Sequence, residues 1–110
     1  LRSAGRLVYV GLLRLRTVEI MEITWDPEKA AGNYHKHRIR FSDAESVLFD
    51  PYALTSEDIS SEGEQRHVSV GMDSSGRILV VVFTYRDDGI RLISARRATK
   101  RERRHYESGI

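Results

Sequence analysis

The sequence predicts an α+β domain: two short helices near the start and a closing helix, packed with an antiparallel β-sheet. Three observations carry this. Helix-start signals stand at Asp26-Pro27, at Ser42 and at Thr99; a nearly continuous apolar and β-branched run, Ile78 to Tyr85, lies between two polar turns; and strand-like segments precede and follow that run.

Glu22-Ile23-Thr24-Trp25 alternates as a short strand. Asp26-Pro27 then opens a helix, because the carboxylate can cap free N–H groups and proline in the first turn needs no donor. This helix is expected from Pro27 to about His37. Ser42-Asp43-Ala44-Glu45 reads as a capping box opening a second helix, with Ala44, Val47 and Leu48 on one face, that must stop by Asp50 because Pro51 follows. Both helices are short and need a sheet to bury against.

The sheet comes next. His67 to Gly71 alternates, Asp73-Ser74-Ser75-Gly76 is a turn, Ile78 to Tyr85 is a strand, Asp87-Asp88-Gly89 is a second turn, and Ile90 to Arg96 is a third strand. The middle strand is apolar on both faces, so it is expected at the centre, covered on both sides. Thr99-Lys100-Arg101-Glu102 is another capping box and starts the final helix. Thr55 to Glu64, acidic and serine-rich, reads as a mobile loop.

A chain of 110 residues allows one domain with a modest core. No cysteine is present, which removes disulfides, thiolate nucleophiles and cysteine-rich zinc sites and fits a reducing cytoplasm. Residues 1–20 differ from the rest: four arginines, one carboxylate, and the short apolar run Leu7 to Leu13. That run is too short to span a bilayer, and Arg14 and Arg16 stand where a secretory cleavage site would be, so no membrane association is expected. If ordered, its alternation permits an added strand.

The net charge of +2 hides a segregation. Between Phe41 and Gln65 there are seven carboxylates and no Lys or Arg, whereas Arg91 to His105 holds seven cations against Glu102 alone. Such asymmetry suits a polyanion-facing surface beside an acidic one, although charge runs also serve simply as solvated faces.

Five stretches in order, Trp25-Asp26-Pro27, Lys36-His37, Glu62 to Arg66, Ile78 to Phe83, and Ser94 to Ala98 leading into Arg101 to Arg104, resemble the BrnT family of small ribonuclease toxins from bacterial type II toxin–antitoxin pairs. The resemblance runs from Met21 to Tyr106. It implies a RelE-like fold with an antiparallel sheet, RNA cleavage at a basic surface, a BrnA-like cognate antitoxin, and contact with operator DNA only through that antitoxin. Because the pattern begins at Met21, residues 21–110 are expected to be the toxin domain and residues 1–20 an extension, not native to it. One departure is visible: Arg38 stands where the family tends to have glycine, which makes a left-handed helix stop harder there.

A ribonuclease working without metal or cofactor needs a base for the 2′-hydroxyl, an acid for the leaving oxygen, and cations around the phosphate. The catalytic candidates are His37, Arg66 and Arg96. Imidazole titrates near neutrality, and both arginines stand at strand ends where a sheet can aim a guanidinium. Equally, His37 can bond the last helix carbonyls, and the arginines can pair with Glu62 and Glu64. Lys36, Arg91, Arg97, Arg101 and Arg104 are the RNA-binding candidates; Arg91 and Arg97, both alternating with apolar neighbours, fit one phosphate path. His35 and His37 face apart on a helix, so no metal site is expected. Trp25 reads as core rather than a base-stacking platform. Against an endoribonuclease toxin that inhibits translation stands a non-catalytic module, a co-repressor that binds nucleic acid or a partner; growth arrest and RNA decay in chelator separate the two.

Overall fold

Glu22 to Trp25 forms the end of a longer strand. In the computed structural model β2 (Thr17–Trp25) pairs antiparallel along its whole length with β1 (Ala4–Leu12). The structure describes residues 4–12, 17–58, 63–86 and 89–109, with side chains from Glu22 onward. The added strand that residues 1–20 permitted is therefore present, as an edge strand.

Helix α1 (Pro27–His37) begins as its sequence dictates, with the Asp26 carboxylate accepting from the Glu28 N–H at 2.9 Å and Pro27 in the first turn. Its end departs from expectation. Arg38 adopts the left-handed conformation (φ 60°, ψ 28°), and its N–H donates to the Tyr34 carbonyl at 2.8 Å. A non-glycine residue there costs about 1–2 kcal/mol. The Arg38 guanidinium lies 5.6 Å from the Tyr34 ring centroid, a cation–π contact that offsets part of this cost.

The second helix is shorter than expected. α2 covers only Phe41–Ala44 and continues as a 3-10 turn, Glu45–Phe49, ending before Pro51. The capping box at Ser42 does not form; Arg40 is the N-cap and provides no side-chain bond. Tertiary packing decides this, because Phe41, Ala44 and Val47 are all buried and fix where the segment sits. Both helices follow β1 and β2, so the two helices expected near the start come after two strands where the sequence reading had one.

The sheet has six strands in the order β1-β2-β6-β5-β4-β3, where β3 is Leu54–Asp58, β4 Arg66–Met72, β5 Ile78–Arg86 and β6 Gly89–Arg97. The meander β4-β5-β6 is antiparallel and central, as read from the sequence. The sheet as a whole is mixed, because β6 runs parallel to β2 across Glu22–Gly89, Ile23–Ile90 and Thr24–Arg91. Alternation within a strand cannot reveal that closure, since it depends on how the meander returns to the hairpin. At the closure Gly89 has no room for a side chain: a Cβ there would collide with the Glu22 carbonyl oxygen.

The supposed loop from Thr55 is also partly strand. β3 pairs with β4 from Leu54–Val70 to Asp58–Arg66, and residues 59–62 of that expectation lie outside the described residues, as do Asp87 and Asp88 of the second turn. An edge strand with Thr55, Ser56 and Glu57 exposed needs no apolar alternation, which is why composition hid it.

One sheet face carries the core. Ile23, Leu79, Val81, Phe83, Ile90, Leu92 and Ala95 pack against Ile39, Phe41, Ala44 and Val47 from the helical layer. β2 leaves β6 after Thr24–Arg91, and further along that edge Asn33 of α1 takes over: its amide donates to the Ala95 carbonyl at 2.8 Å and accepts from the Ala95 N–H at 3.0 Å. Helix α3 (Lys100–Glu107) starts on the Thr99–Glu102 capping box and packs on β4, with the Tyr106 hydroxyl donating to Asp50 at 2.5 Å. Burial and that carboxylate push the Tyr106 phenol up to about 12. Burial alone would raise Asp50, but bonds from the Met72 N–H, the Tyr106 hydroxyl and the Tyr52 N–H outweigh it and hold that carboxyl below its ordinary value.

Candidate functional site

The second face of the sheet, turned away from the helical core, is set by a bulge. Val82 pairs with Ser94 and Phe83 with Leu92, so Ile93 is an extra residue in β6. Strict alternation would place Arg91 with Arg97 and opposite Arg96. The extra residue reverses the parity. Arg91 opposite Thr84 and Arg96 opposite Val80 now share the open face, while Arg97, opposite Leu79, belongs to the other. Burial agrees, since Ile90, Leu92 and Ala95 are the core residues of β6.

A cross-strand row results. His67 pairs with Phe83, and one step along that register Arg66 stands beside Thr84; Thr84 pairs with Arg91, and Arg91 with Thr24. Asp58 of β3 lies opposite Arg66 at the far end. Arg66 and Arg91 are thus two strands apart, about 10 Å between backbones, well within reach of one ligand for two such long side chains. Thr84 between them is almost fully buried, and its hydroxyl donates to the Gln65 carbonyl at 2.7 Å.

This row is electrostatically unfinished. The Nε atoms of both Arg66 and Arg91 are buried and have no hydrogen-bond acceptor among the described residues. Buried donors are normally paired, and leaving one unpaired is costly, so two such nitrogens on the same row set it apart from the rest of the face. Within the acidic stretch Glu64 pairs with Arg86 at 3.0 Å and Glu57 accepts from Gln65 at 2.7 Å.

Arg96, four residues along β5 from the row and hence about 13 Å away, is finished. Its Nη1 and Nη2 meet the two Glu102 oxygens at 2.8 and 2.9 Å. Glu102 also accepts from the Thr99 N–H at 2.8 Å, so the same carboxylate caps α3. Hydrogen bonding from Arg96 is the largest cause that takes the Glu102 carboxyl down to about 2, and the pairing raises the Arg96 guanidinium in return.

Residues 25–102 match the family model described as ribonuclease toxin, BrnT, of type II toxin–antitoxin system. The chain belongs to that family. Among solved structures it is similar to the ribonuclease toxin BrnT of Brucella abortus, with 25% identity, a TM-score of 0.55, and coverage of 69% of this chain and 94% of that one. A comparison with curated proteins finds no match. Membership in the BrnT family implies an RNA substrate and an antitoxin partner.

Against that background the residues singled out from sequence separate into groups. Arg66 and Arg91 come together on the open face. Arg96 shares the face but is held by Glu102. His37, half-buried, ends α1 in the helical layer on the opposite side of the sheet, with exposed Lys36 beside it. Arg97 lines a cleft of about 260 Å³ with Arg77 and Arg103, and Arg101 and Arg104 are exposed on α3. Thr84 and Asp58 have no part in the sequence reading, and Glu102 has one only as a helix cap. Thr84 carried a usable signal, as the first hydroxyl-bearing residue after the apolar run Ile78 to Phe83.

Proposed function

We propose that this BrnT-family chain is a metal-independent endoribonuclease whose phosphate-binding centre is the Arg66–Thr84–Arg91 row. Support comes from the two buried guanidinium nitrogens, without an acceptor among the described residues, on one row of one face. A scissile phosphate between them would accept from both, and the planar forks would hold the extra charge that builds on its oxygens as the 2′-oxygen attacks. The bond to the 5′-oxygen breaks as the 2′,3′ linkage closes, and the leaving oxygen takes its proton from water. Asp58, at the end of the row, is the carboxylate placed to take the 2′-hydroxyl proton.

Arg96 in this reading positions α3 rather than phosphate, and His37 is not part of the centre. Lys36, Arg97, Arg101 and Arg104 lie outside it as well and serve the longer RNA path at most. The finer family expectations belong to the same proposal: a RelE-like relation, inhibition of translation through RNA cleavage, action in the cytoplasm, and silencing by a BrnA-like antitoxin laid across the basic face.

The test is RNA cleavage by the purified chain in excess chelator, beside growth on induction in a bacterium. Cleavage that survives chelator and falls in Arg66→Ala and Arg91→Ala supports the proposal. Cleavage that needs an added divalent ion sinks metal independence, and cleavage untouched by both substitutions sinks the site.

A further inference from the structure

Trp25 is less enclosed than its expected core role requires. It packs edge-on against Phe41, with ring centroids 6.2 Å apart and planes at 83°, and it is only half-buried. With Tyr34, Arg40, Phe41 and Ser42 it lines an open pocket of about 250 Å³. Ala30 and Ala31 of α1 contribute only methyl groups to its lining. Arg40, exposed, lies 4.8 Å from the Tyr34 ring centroid, and Arg38 reaches the same ring at 5.6 Å.

We infer that this pocket binds one unpaired nucleobase of the RNA. A base needs flat walls and an edge partner. The Trp25 ring supplies one wall, the Arg40 guanidinium, braced by Tyr34, offers another, and Ser42 brings a hydroxyl. The size is right for one planar ring system, being below the ~300 Å³ at which sites for larger ligands begin. Arg38 and Arg40 add charge beside the pocket, where the flanking backbone phosphates would run. Position also fits, because β2 ends at Trp25 and the preceding Thr24 pairs with Arg91. A single strand rounding that end would set one base in the pocket and a phosphate in the row. The inference rests on RNA being the substrate and gives that reading a specificity pocket.

The chain has one tryptophan, so its emission reports on this pocket alone. The probe is a short 2′-O-methyl RNA oligonucleotide, which cannot be cleaved through the 2′-oxygen, titrated into the full chain beside inorganic polyphosphate. RNA is expected to quench Trp25 and polyphosphate is not. Ala31→Leu, which fills the pocket at an exposed helical position without touching charge, should abolish the quench and weaken binding roughly 5- to 150-fold, the span of ~1–3 kcal/mol per stacked base. Arg40→Lys keeps the charge and loses the plane, so it should lose most of the quench as well. RNA binding with unchanged Trp25 emission overturns the inference, as does Ala31→Leu binding as tightly as the original chain. Cleavage of ordinary RNA, measured in parallel, separates the two readings: no cleavage by the original chain sinks the ribonuclease reading, whereas cleavage without any quench sinks only the pocket.

Discussion

The two ends of the open sheet face hold arginines of the same strand, β6, in opposite electrostatic states. Arg91 keeps a buried Nε with no acceptor among the described residues and stands in a row with Arg66 in the same condition. Arg96, five residues on, has both terminal nitrogens on one carboxylate. The difference separates function from architecture better than charge does. A paired guanidinium has already spent its directional bonds inside the fold, while one with a buried nitrogen left over still has a bond to offer, which is the basis of the proposed phosphate centre.

Removing charge from the unfinished end should have the largest effect. Arg66→Ala and Arg91→Ala are each expected to lower RNA cleavage about 10²- to 10³-fold, the range for losing one transition-state donor, with cooperative unfolding retained. Single-turnover rates and thermal melts on the same preparations check this, and a melt that collapses along with the rate would make the row structural.

The register between β2 and β6 can be broken without touching an arginine. Gly89→Ala forces a Cβ onto the Glu22 carbonyl, so it should destabilise by about 1–3 kcal/mol and lower cleavage by displacing Thr24 and Arg91. Urea unfolding measures it; unaltered stability would show that the strands can part cheaply.

At the finished end the consequence is stability. Glu102→Ala removes the Arg96 pair and half the capping box and is expected to cost about 1–2 kcal/mol, modest because both side chains are partly exposed (41% for Arg96, 31% for Glu102), with cleavage changing little once the protein is folded. The pair also sets an acid limit. The Glu102 carboxyl sits at about 2 when folded against an ordinary 4.5, so its contribution is complete above about pH 4.5 and is lost as pH falls towards 2. Melts from pH 6 to 2 should show a decline in the original chain that Glu102→Gln flattens; parallel declines would place the acid sensitivity elsewhere, with Asp50 and its lowered carboxyl the next group to substitute. The smallest effect is reserved for His37→Ala, which ends α1 and has no place in the row: its cleavage rate should stay within about threefold, and a larger loss would return a histidine to the centre.

These contrasts also show what the sequence could carry. Asp26-Pro27 and the Thr99–Glu102 box are local devices, and both appear in the fold where the chain put them. Ile78 to Tyr85 could be recognised as a central strand because it is apolar on both faces. Arg66 could be named as a cation at a strand end, but the arginines that share its face could not, because the extra residue Ile93 reverses the parity after Arg91, so that Arg96 joins Arg91 where plain alternation selects Arg97. Glu102 was legible as a cap and not as the clamp on Arg96, since that pair spans a strand end and a helix start. β3 and the parallel β2–β6 closure depend on which edges meet, which no local pattern encodes.

The central claim is that Arg66 and Arg91 hold the same phosphate, and a double-mutant cycle on single-turnover RNA cleavage tests it most directly. If both guanidiniums act on one phosphate, the double Arg66→Ala/Arg91→Ala variant should lose little more than the worse single one, leaving a coupling well above the 0.3–0.5 kcal/mol scatter of independent sites. Losses that multiply in full would mean that the two arginines act separately, and the row would no longer be a single phosphate-binding centre.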